Sequence, residues 1–233
     1  MYVPAHFRIT DSDEIAAVVR ECGIGTLVVV TNAGLEATPL PVMLHPDEGE
    51  MGALHGHVSR ANPLWSQALT EHEVLVTFSP ADAYVSPRYL PSKAEHQKVV
   101  PTWNYIAVHV HGRLVVHDDA AWVAAQTREL TDVHEAGVDV ATGAPWSVDD
   151  APADYIAATL RGIVGLAVHI TRIEAKAKLS QNRTAADHEG VRRAHLRGDE
   201  AARRLAVDMP AVDMPAVDML AADMPFAERP FAE

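Results

Sequence analysis

Residues 100–112 read V-P-T-W-N-Y-I-A-V-H-V-H-G, a loop that leads into a long strand. Along this strand and its continuation, apolar and polar side chains alternate. The apolar positions are Ile106, Val108, Val110, Leu114 and Val116, and the polar positions between them include Tyr105, His109, His111 and Arg113. Because successive side chains of a strand point to opposite faces, one face packs into a core and the other meets solvent or a ligand. This pattern is typical of an antiparallel sheet or barrel.

A second long strand is predicted at residues 163–173, where Val164, Leu166 and Val168 alternate with polar residues such as His169. Shorter strands are predicted at 25–31, 35–44, 53–58 and 74–78, and helices at 118–134 and 152–161. A doubly wound α/β sheet would require buried parallel strands without polar faces. The sequence therefore predicts a mainly β protein with helical additions, most simply a small β-barrel.

The strand predicted at 35–44 contains two prolines, Pro39 and Pro41. Proline has no backbone N–H to donate to a neighbouring strand. We therefore predict that this strand lies at a sheet edge or faces a ligand, and not in the centre of a sheet.

The composition limits the classes of protein to consider. The chain has 233 residues, of which 48% are hydrophobic, which suits one domain with additions and a substantial core. A net charge of −13 argues against a protein whose main affinity is for nucleic-acid phosphates. The single cysteine, Cys22, excludes an internal disulfide and fits a reducing compartment. With no signal-peptide pattern and no apolar run long enough for a bilayer, we expect a cytoplasmic protein that does not enter the membrane.

Residues 206–233 repeat a five-residue unit, A-V-D-M-P, with proline in nearly every copy. Such a unit cannot continue as a helix and is too short to form a solenoid repeat. We predict one folded domain at 1–205 and a low-complexity, disordered tail at 206–233. A docking segment for a partner protein is the less favoured interpretation of the tail.

Several motifs follow one another in a fixed order along the chain: G-T-L-V, A-T-P-L-P, L-H-G-H-V-S-R-A-N-P, E-V-L-V-T-F, A-Y-V-S-P, W-N-Y-I-A-V-H-V-H-G and K-L-S-Q-N-R. Over residues 1–205 this order resembles the PaiB family, described as FMN-binding negative transcriptional regulators. The resemblance implies a split β-barrel related to pyridoxamine-phosphate oxidase. It also implies a homodimer with the FMN cofactor at the interface, and repression that is direct or indirect.

The resemblance further implies a phosphate site at Ser59 and Arg60, just before the Asn62-Pro63 helix start. A hydroxyl, a guanidinium and a helix N-terminus together suit a phosphate. The wider fold often carries Ser-Arg-Lys here, whereas this chain has Ala61 and so lacks one positive charge.

The rest of the implied flavin site comes from three other segments. Since prolines lack the N–H group, Leu40 and Val42 would donate backbone N–H groups to the flavin ring. The W-N-Y and S-Q-N-R motifs would complete the site, in part from the second subunit. The full set of implied cofactor-binding residues is Thr38, Leu40, Val42, His57, Ser59, Arg60, Asn62, Trp103, Asn104, Gln181, Asn182 and Arg183.

Each of these residues also has a purely structural interpretation. Ser59 and Arg60 could cap the next helix and pair with a surface acid. Trp103 could belong to the core. Residues 181–183 could form a turn that leads to a helix capped by Thr184.

Paired histidines support a rival hypothesis, a metal- or haem-binding barrel. His55 and His57, and likewise His109 and His111, lie two residues apart, which puts both imidazoles of a pair on one strand face. Most strand histidines are hydrogen-bonded structural residues, so no metal ligand is assigned from the sequence.

Catalysis and DNA binding have weaker signals. No nucleophile elbow, P-loop or dinucleotide motif is present, and no catalytic residue is assigned. An FMN-dependent reductase or oxidase remains an alternative, because the flavin itself would carry that chemistry. Residues 184–205 form an arginine-rich helical pattern, but interspersed acids favour a solvated amphipathic helix over a DNA-binding one.

Overall fold

A computed structural model describes residues 1–139, 141 and 143–212. The chain divides into two compact units. Unit 1 comprises Met1, Thr10–Phe78 and Val108–Glu174, and unit 2 comprises Tyr2–Ile9, Ser79–Ala107 and the chain from Ala175 onward. Most of the predicted tail lies outside the described residues, although its first residues, up to Asp208, continue a helix.

The described residues contain eight strands and seven helices. The strands are β1 (Arg8–Ile9), β2 (Ile24–Thr31), β3 (Gly34–His45), β4 (Ala53–Ser59), β5 (Val74–Phe78), β6 (Asp82–Val85), β7 (Thr102–His117) and β8 (Ile163–Lys178). The helices are α1 (Ser12–Cys22), α2 (Leu64–Gln67), α3 (Ser92–His96), α4 (Ala120–Glu135), α5 (Ala153–Leu160), α6 (Ala185–His195) and α7 (Glu200–Asp208). Among the described residues, no helix has both the length and the apolar character needed to cross a membrane.

Six strands, including the parts of β7 and β8 that belong to unit 1, form a sheet that closes on itself. Their order is β8-β4-β3-β2-β5-β7, and β7 pairs back with β8. Every neighbouring pair with a defined register is antiparallel. The mainly β fold with helical additions, predicted from two long strands of period two, is therefore confirmed.

The alternation along β7 matches its burial. Val108 and Val110 are 0% and 1% exposed, whereas His109 and His111 between them are half-buried. At Gly112 the strand passes very close to β8, because an added Cβ would lie 2.4 Å from the backbone oxygen of His169. A glycine is therefore required where β7 and β8 meet.

The prediction that the proline-containing strand lies at a sheet edge is wrong for β3 as a whole. β3 lies between β2 and β4 and pairs with both. However, its ladder with β4 begins only at Val42, so the half that contains Pro39 and Pro41 pairs only with β2. The prolines are tolerated because the missing N–H groups fall on the side that has no partner strand.

In unit 2, the ends of the long strands pair with two very short ones. β1 pairs with Lys176 and Ala175 of β8, and β6 pairs with residues 102–105 of β7. Helices α6 and α7 follow β8 and pack against each other. Strands β1 and β6 were not predicted, because two to four residues are too few to display a period of two.

Candidate functional site

The first group of predicted residues lies at the end of β4 in unit 1, where Arg60 is held by other parts of the chain. Its Nη1 donates to Asp118 Oδ2 at 3.0 Å, and its Nη2 forms a short contact with Asp118 Oδ1. Its Nε donates to the carbonyl of Arg161 at 2.8 Å, and Nη2 also reaches the carbonyl of Ile163 at 3.2 Å. The guanidinium thus forms a bidentate pair with a carboxylate and two further hydrogen bonds.

This arrangement gives Arg60 partners within the chain itself. Hydrogen bonding between the two groups raises the pKa of Arg60 and lowers the pKa of Asp118, so both stay charged. A phosphate at Arg60 would have to displace the Asp118 carboxylate. The structural alternative for this residue, pairing with a surface acid, is the one found.

Ser59 and Asn62 stabilise the turn that follows β4. Ser59 Oγ accepts from the N–H of Ala61 at 3.3 Å, and Asn62 Oδ1 accepts from the N–H of Leu64 at 2.9 Å. Asn62 Nδ2 also lies 3.4 Å from Thr38 Oγ1. These contacts bring Thr38, Ser59 and Asn62 into one polar corner of unit 1.

The backbone N–H groups of Leu40 and Val42, expected to face the flavin ring, lie on the β2 side of β3. The Val42 N–H donates to the carbonyl of Gly23 at 3.0 Å. Since strand N–H groups alternate in direction, the Leu40 N–H points towards the same side, where β2 pairs with it. Both side chains are buried, at 4% and 7% exposure. In the structure both N–H groups therefore point towards β2.

His57 has a partner within unit 1. Its Nδ1 lies 2.8 Å from Oε1 of Gln126, a residue of α4 that is 3% exposed. Because a side-chain amide oxygen can only accept, Nδ1 is the donor in this contact, and Nε2 takes no part in it.

The second group of predicted residues lies in unit 2, at the start of β7 and the end of β8. Trp103 is 50% exposed and meets Tyr84 edge to face, with ring centroids 5.6 Å apart, so it is not a core residue. Asn104 is fully buried, and it contacts Ser180 Oγ at 2.9 Å and His195 Nε2 at 3.3 Å. Asn104 therefore links β7 to the turn after β8 and to α6.

The S-Q-N-R motif forms a locked turn between β8 and α6. Ser180 has a φ of 63°, and Gln181 spans the turn by accepting from the Leu179 N–H and donating to the Ala177 carbonyl. Thr184 then caps α6 through the N–H of Asp187 at 3.2 Å. The predicted turn and cap are both present, and they fix the positions of Asn182 and Arg183.

A cleft of about 380 Å³ lies beside this turn, within the size range of small-molecule sites. It is lined by Tyr2, Pro4, Phe7, Val100, Pro101, Thr102, Asn104, Tyr105, Lys176, Lys178, Ser180, Asn182 and Arg183. Three of these described residues are cationic and none is acidic. In a chain with a net charge of −13, such a cleft is a marked local excess of positive charge.

The three cations are held in different ways. Lys178 Nζ donates to the Trp103 carbonyl at 2.7 Å and forms a short contact with Thr102 Oγ1. Lys176 is 8% exposed and lies over the rings of Phe7 and Tyr105, with its Nζ 5.8 and 5.1 Å from the ring centroids. Among the described residues, no side-chain hydrogen bond or ion pair of Arg183 is found.

Lys176 was not singled out in the sequence, and Lys178, the first residue of the K-L-S-Q-N-R motif, was not assigned to the site. The two lysines lie two residues apart in K-A-K, so the period of a strand puts both on one face. That spacing was a usable signal. The spacing could not indicate that no acidic residue lines the cleft among the described residues, because the other walls come from distant segments.

The histidines buried in unit 2 should make the protein sensitive to acid. Burial lowers the pKa of His195 and of His188 below 6.5, the value expected in the unfolded chain. The folded state therefore binds fewer protons, and the free energy of unfolding decreases as the pH falls below about 6.5. We expect a lower Tm at pH 5.5 than at pH 7.5, measured by circular dichroism, and a smaller difference in His195→Gln. An unchanged difference would mean that His195 does not contribute to the acid sensitivity.

Comparison with known proteins identifies the family to which the sequence of this chain is similar. Residues 1–172 match the family model described as "Putative FMN-binding domain". The protease synthase and sporulation protein PAI 2 of Bacillus subtilis is 31% identical over 193 residues, which cover 82% of this chain and 87% of that protein. An uncharacterized protein of Aspergillus fumigatus is 36% identical over 168 residues, or 60% of this chain. The matched region spans only 64% of the length of that fungal protein.

Solved structures match at the level of the fold. A conserved hypothetical protein from Mycobacterium tuberculosis superimposes with a TM-score of 0.53 and 12% identity, over 76% of this chain and 91% of that one. A Bacteroides thetaiotaomicron protein named a "putative 5-nitroimidazole antibiotic resistance protein" gives a TM-score of 0.50 at 12% identity, over 72% and 85% of the two chains. Together with the closed six-stranded sheet, these matches confirm the predicted split β-barrel.

Proposed function

Because the chain belongs to the FMN-binding domain family, we propose that it is a PaiB-type negative transcriptional regulator that binds FMN and holds the FMN phosphate in the cationic cleft of unit 2. The observation that carries this proposal is the cleft itself, with Lys176, Lys178 and Arg183 on its walls and no acidic residue among the described residues that line it.

The donors of the cleft fit a phosphate. A phosphate monoester carries one to two negative charges near neutral pH, and charge-assisted hydrogen bonds from lysine and arginine are the strong ones. Lys176 is buried, and its Nζ reaches the Tyr2 carbonyl at a long 3.5 Å but no carboxylate among the described residues; a buried ammonium is costly unless its charge is paired. A phosphate in the cleft would supply the missing negative charge.

The flavin ring requires a flat, partly apolar surface. Trp103 and Tyr84 form an exposed aromatic pair at the start of β7, and the Trp103 carbonyl is held by Lys178. Aromatic side chains that remain half exposed are typical of binding surfaces. We assign this surface to the flavin ring and to the partner subunit in a homodimer. Thr38, His57, Ser59 and Asn62, all in unit 1, remain the alternative proposed location for the cofactor.

The proposed repression is indirect. Arg192 and Arg193 of α6 both pair with Glu189, at 2.8 and 2.7 Å. In α7, Arg203 donates to the carbonyl of Gly198. Arginines that already have partners within the chain are less available to DNA phosphates. Bound FMN would supply electron or hydride transfer. In this proposal, the oxidation state or the occupancy of FMN controls whether the protein acts on a partner protein that regulates transcription.

An FMN titration of the untagged protein, followed by quenching of flavin fluorescence, tests the cofactor part of this proposal. We expect saturation at about one FMN per subunit and a dimer in light scattering coupled to size-exclusion chromatography. Absence of saturable binding would overturn the proposal. Rapid oxidation of NAD(P)H by the loaded protein would instead favour the reductase alternative.

A further inference from the structure

The polar face of β7 meets β8 in a cluster of three potential metal ligands in unit 1. His109 and His111 are two residues apart and so project from the same face of the strand. Glu174 of β8 lies opposite them, with His111 Nε2 3.1 Å from Glu174 Oε2. One ligand atom from each of the three residues lies within 4.8 Å of the others, and all three side chains are half-buried.

We propose that His109, His111 and Glu174 bind a divalent transition-metal ion of the zinc class. Two imidazoles and one carboxylate are a common ligand set for Zn²⁺, which leaves a fourth position for water or another ligand. Around a tetrahedral ion with bonds of about 2.0–2.1 Å, ligand atoms are about 3.3 Å apart. His111 Nε2 and Glu174 Oε2 are already 3.1 Å apart, and all three ligand atoms lie within 4.8 Å of one another, so the cluster is close to that spacing.

Two cationic groups of the chain already contact the Glu174 carboxylate and would compete with a metal ion for it. Glu174 Oε2 contacts Arg172 Nη1 at 2.9 Å and the Met1 amine at 2.5 Å, in addition to His111. All of these contacts use Oε2, so Oε1 can bind the ion. Arg172 is 51% exposed and can turn into solvent when a metal ion enters. Its positive charge nevertheless lowers the affinity of the site for a cation.

The other histidine pair does not form such a site. His55 Nε2 lies 2.9 Å from Glu48, whereas His57 Nδ1 faces Gln126. The two rings therefore have different partners. Within the described part of the chain, the β7–β8 cluster is the single group of three or more potential ligands that lie close enough together.

A metal ion at this position would connect the two strands that close the six-stranded sheet. Because β7 and β8 come from distant parts of the chain, a shared ion would stabilise their pairing in the folded state only. The inference is independent of flavin binding, since it rests on residues outside the cationic cleft.

Titration of the untagged full-length protein with ZnCl₂, against a chromophoric chelator, tests the site. We expect one tight Zn²⁺ per chain, a rise in Tm of about 5–10 °C at saturating zinc, and at least a tenfold weaker affinity in His109→Ala, His111→Ala and Glu174→Gln. Co²⁺ should give a visible absorption spectrum of tetrahedral type that is lost in His111→Ala.

Two control variants separate a metal site from a structural ion-pair cluster. His72→Ala removes an exposed histidine elsewhere and should leave the zinc affinity unchanged. Arg172→Ala removes the competing charge and should strengthen zinc binding several-fold. The inference is overturned if the wild-type protein binds no zinc, or if His72→Ala weakens binding as much as His111→Ala does.

Discussion

Replacing Arg183 by alanine is expected to weaken FMN binding by about 10- to 100-fold, the equivalent of about 1.5–3 kcal/mol for a lost charge-assisted hydrogen bond. The Arg183 side chain lines the cationic cleft and forms no side-chain hydrogen bond or ion pair with the described residues. Its removal should therefore act on the ligand and leave the folded chain intact. The dissociation constant from fluorescence quenching is the measurement.

Riboflavin, which lacks the phosphate, gives a matched probe for this prediction. The wild-type protein should bind FMN more tightly than riboflavin, and Arg183→Ala should reduce that preference while changing riboflavin affinity little. Such a double comparison isolates the interaction between the guanidinium and the phosphate. A variant that weakens both ligands equally would indicate a general disturbance of the site.

Arg60→Ala provides the decisive control, because it distinguishes the two possible locations of the FMN phosphate, the cationic cleft and the end of β4. Since Asp118 and two backbone carbonyls already hold Arg60, its loss should change FMN affinity by less than about threefold. If Arg60→Ala weakens FMN binding strongly and Arg183→Ala does not, the phosphate lies at the end of β4, and our assignment is wrong.

The fold could be predicted from the sequence largely because its signals are local. Alternation along β7 reports directly which face is buried, and Asp11 caps α1 through the N–H groups of the next residues in the chain. The proline argument for β3 failed as a statement about the whole strand. It treated β3 as uniformly paired, whereas pairing with β4 begins only after Pro41.

The candidate site was less predictable because its contacts are distant in sequence. Asp118, which forms the ion pair with Arg60, lies 58 residues further along the chain. Glu174 is 63 residues from His111, so the histidine pair alone gave no indication of a third ligand. Such pairings are determined by the register of the closed sheet, and that register is not encoded in any single segment.

Replacing Gly112 by alanine is expected to destabilise the protein by about 2–3 kcal/mol, because the added Cβ would lie 2.4 Å from the His169 carbonyl oxygen and 2.7 Å from Val168 Cγ1. The backbone oxygen cannot move away as a flexible side chain would. The strands β7 and β8 would have to separate where the six-stranded sheet closes. Thermal unfolding should show a Tm about 5–10 °C lower.

Gly137→Ala is the matched control for the Gly112 prediction, since the same methyl group would there lie 3.5 Å from the His134 carbonyl, an ordinary contact distance. We expect its Tm to stay within about 2 °C of the wild-type value, because surface changes without a clash usually alter stability by less than 0.5 kcal/mol. If Gly112→Ala were as stable as Gly137→Ala, β7 and β8 could not approach as closely as the structure has them. The closure of the sheet at this pair would then be wrong. A selective loss of stability in Gly112→Ala would show that β7 and β8 approach each other as closely at this position as the structure has them.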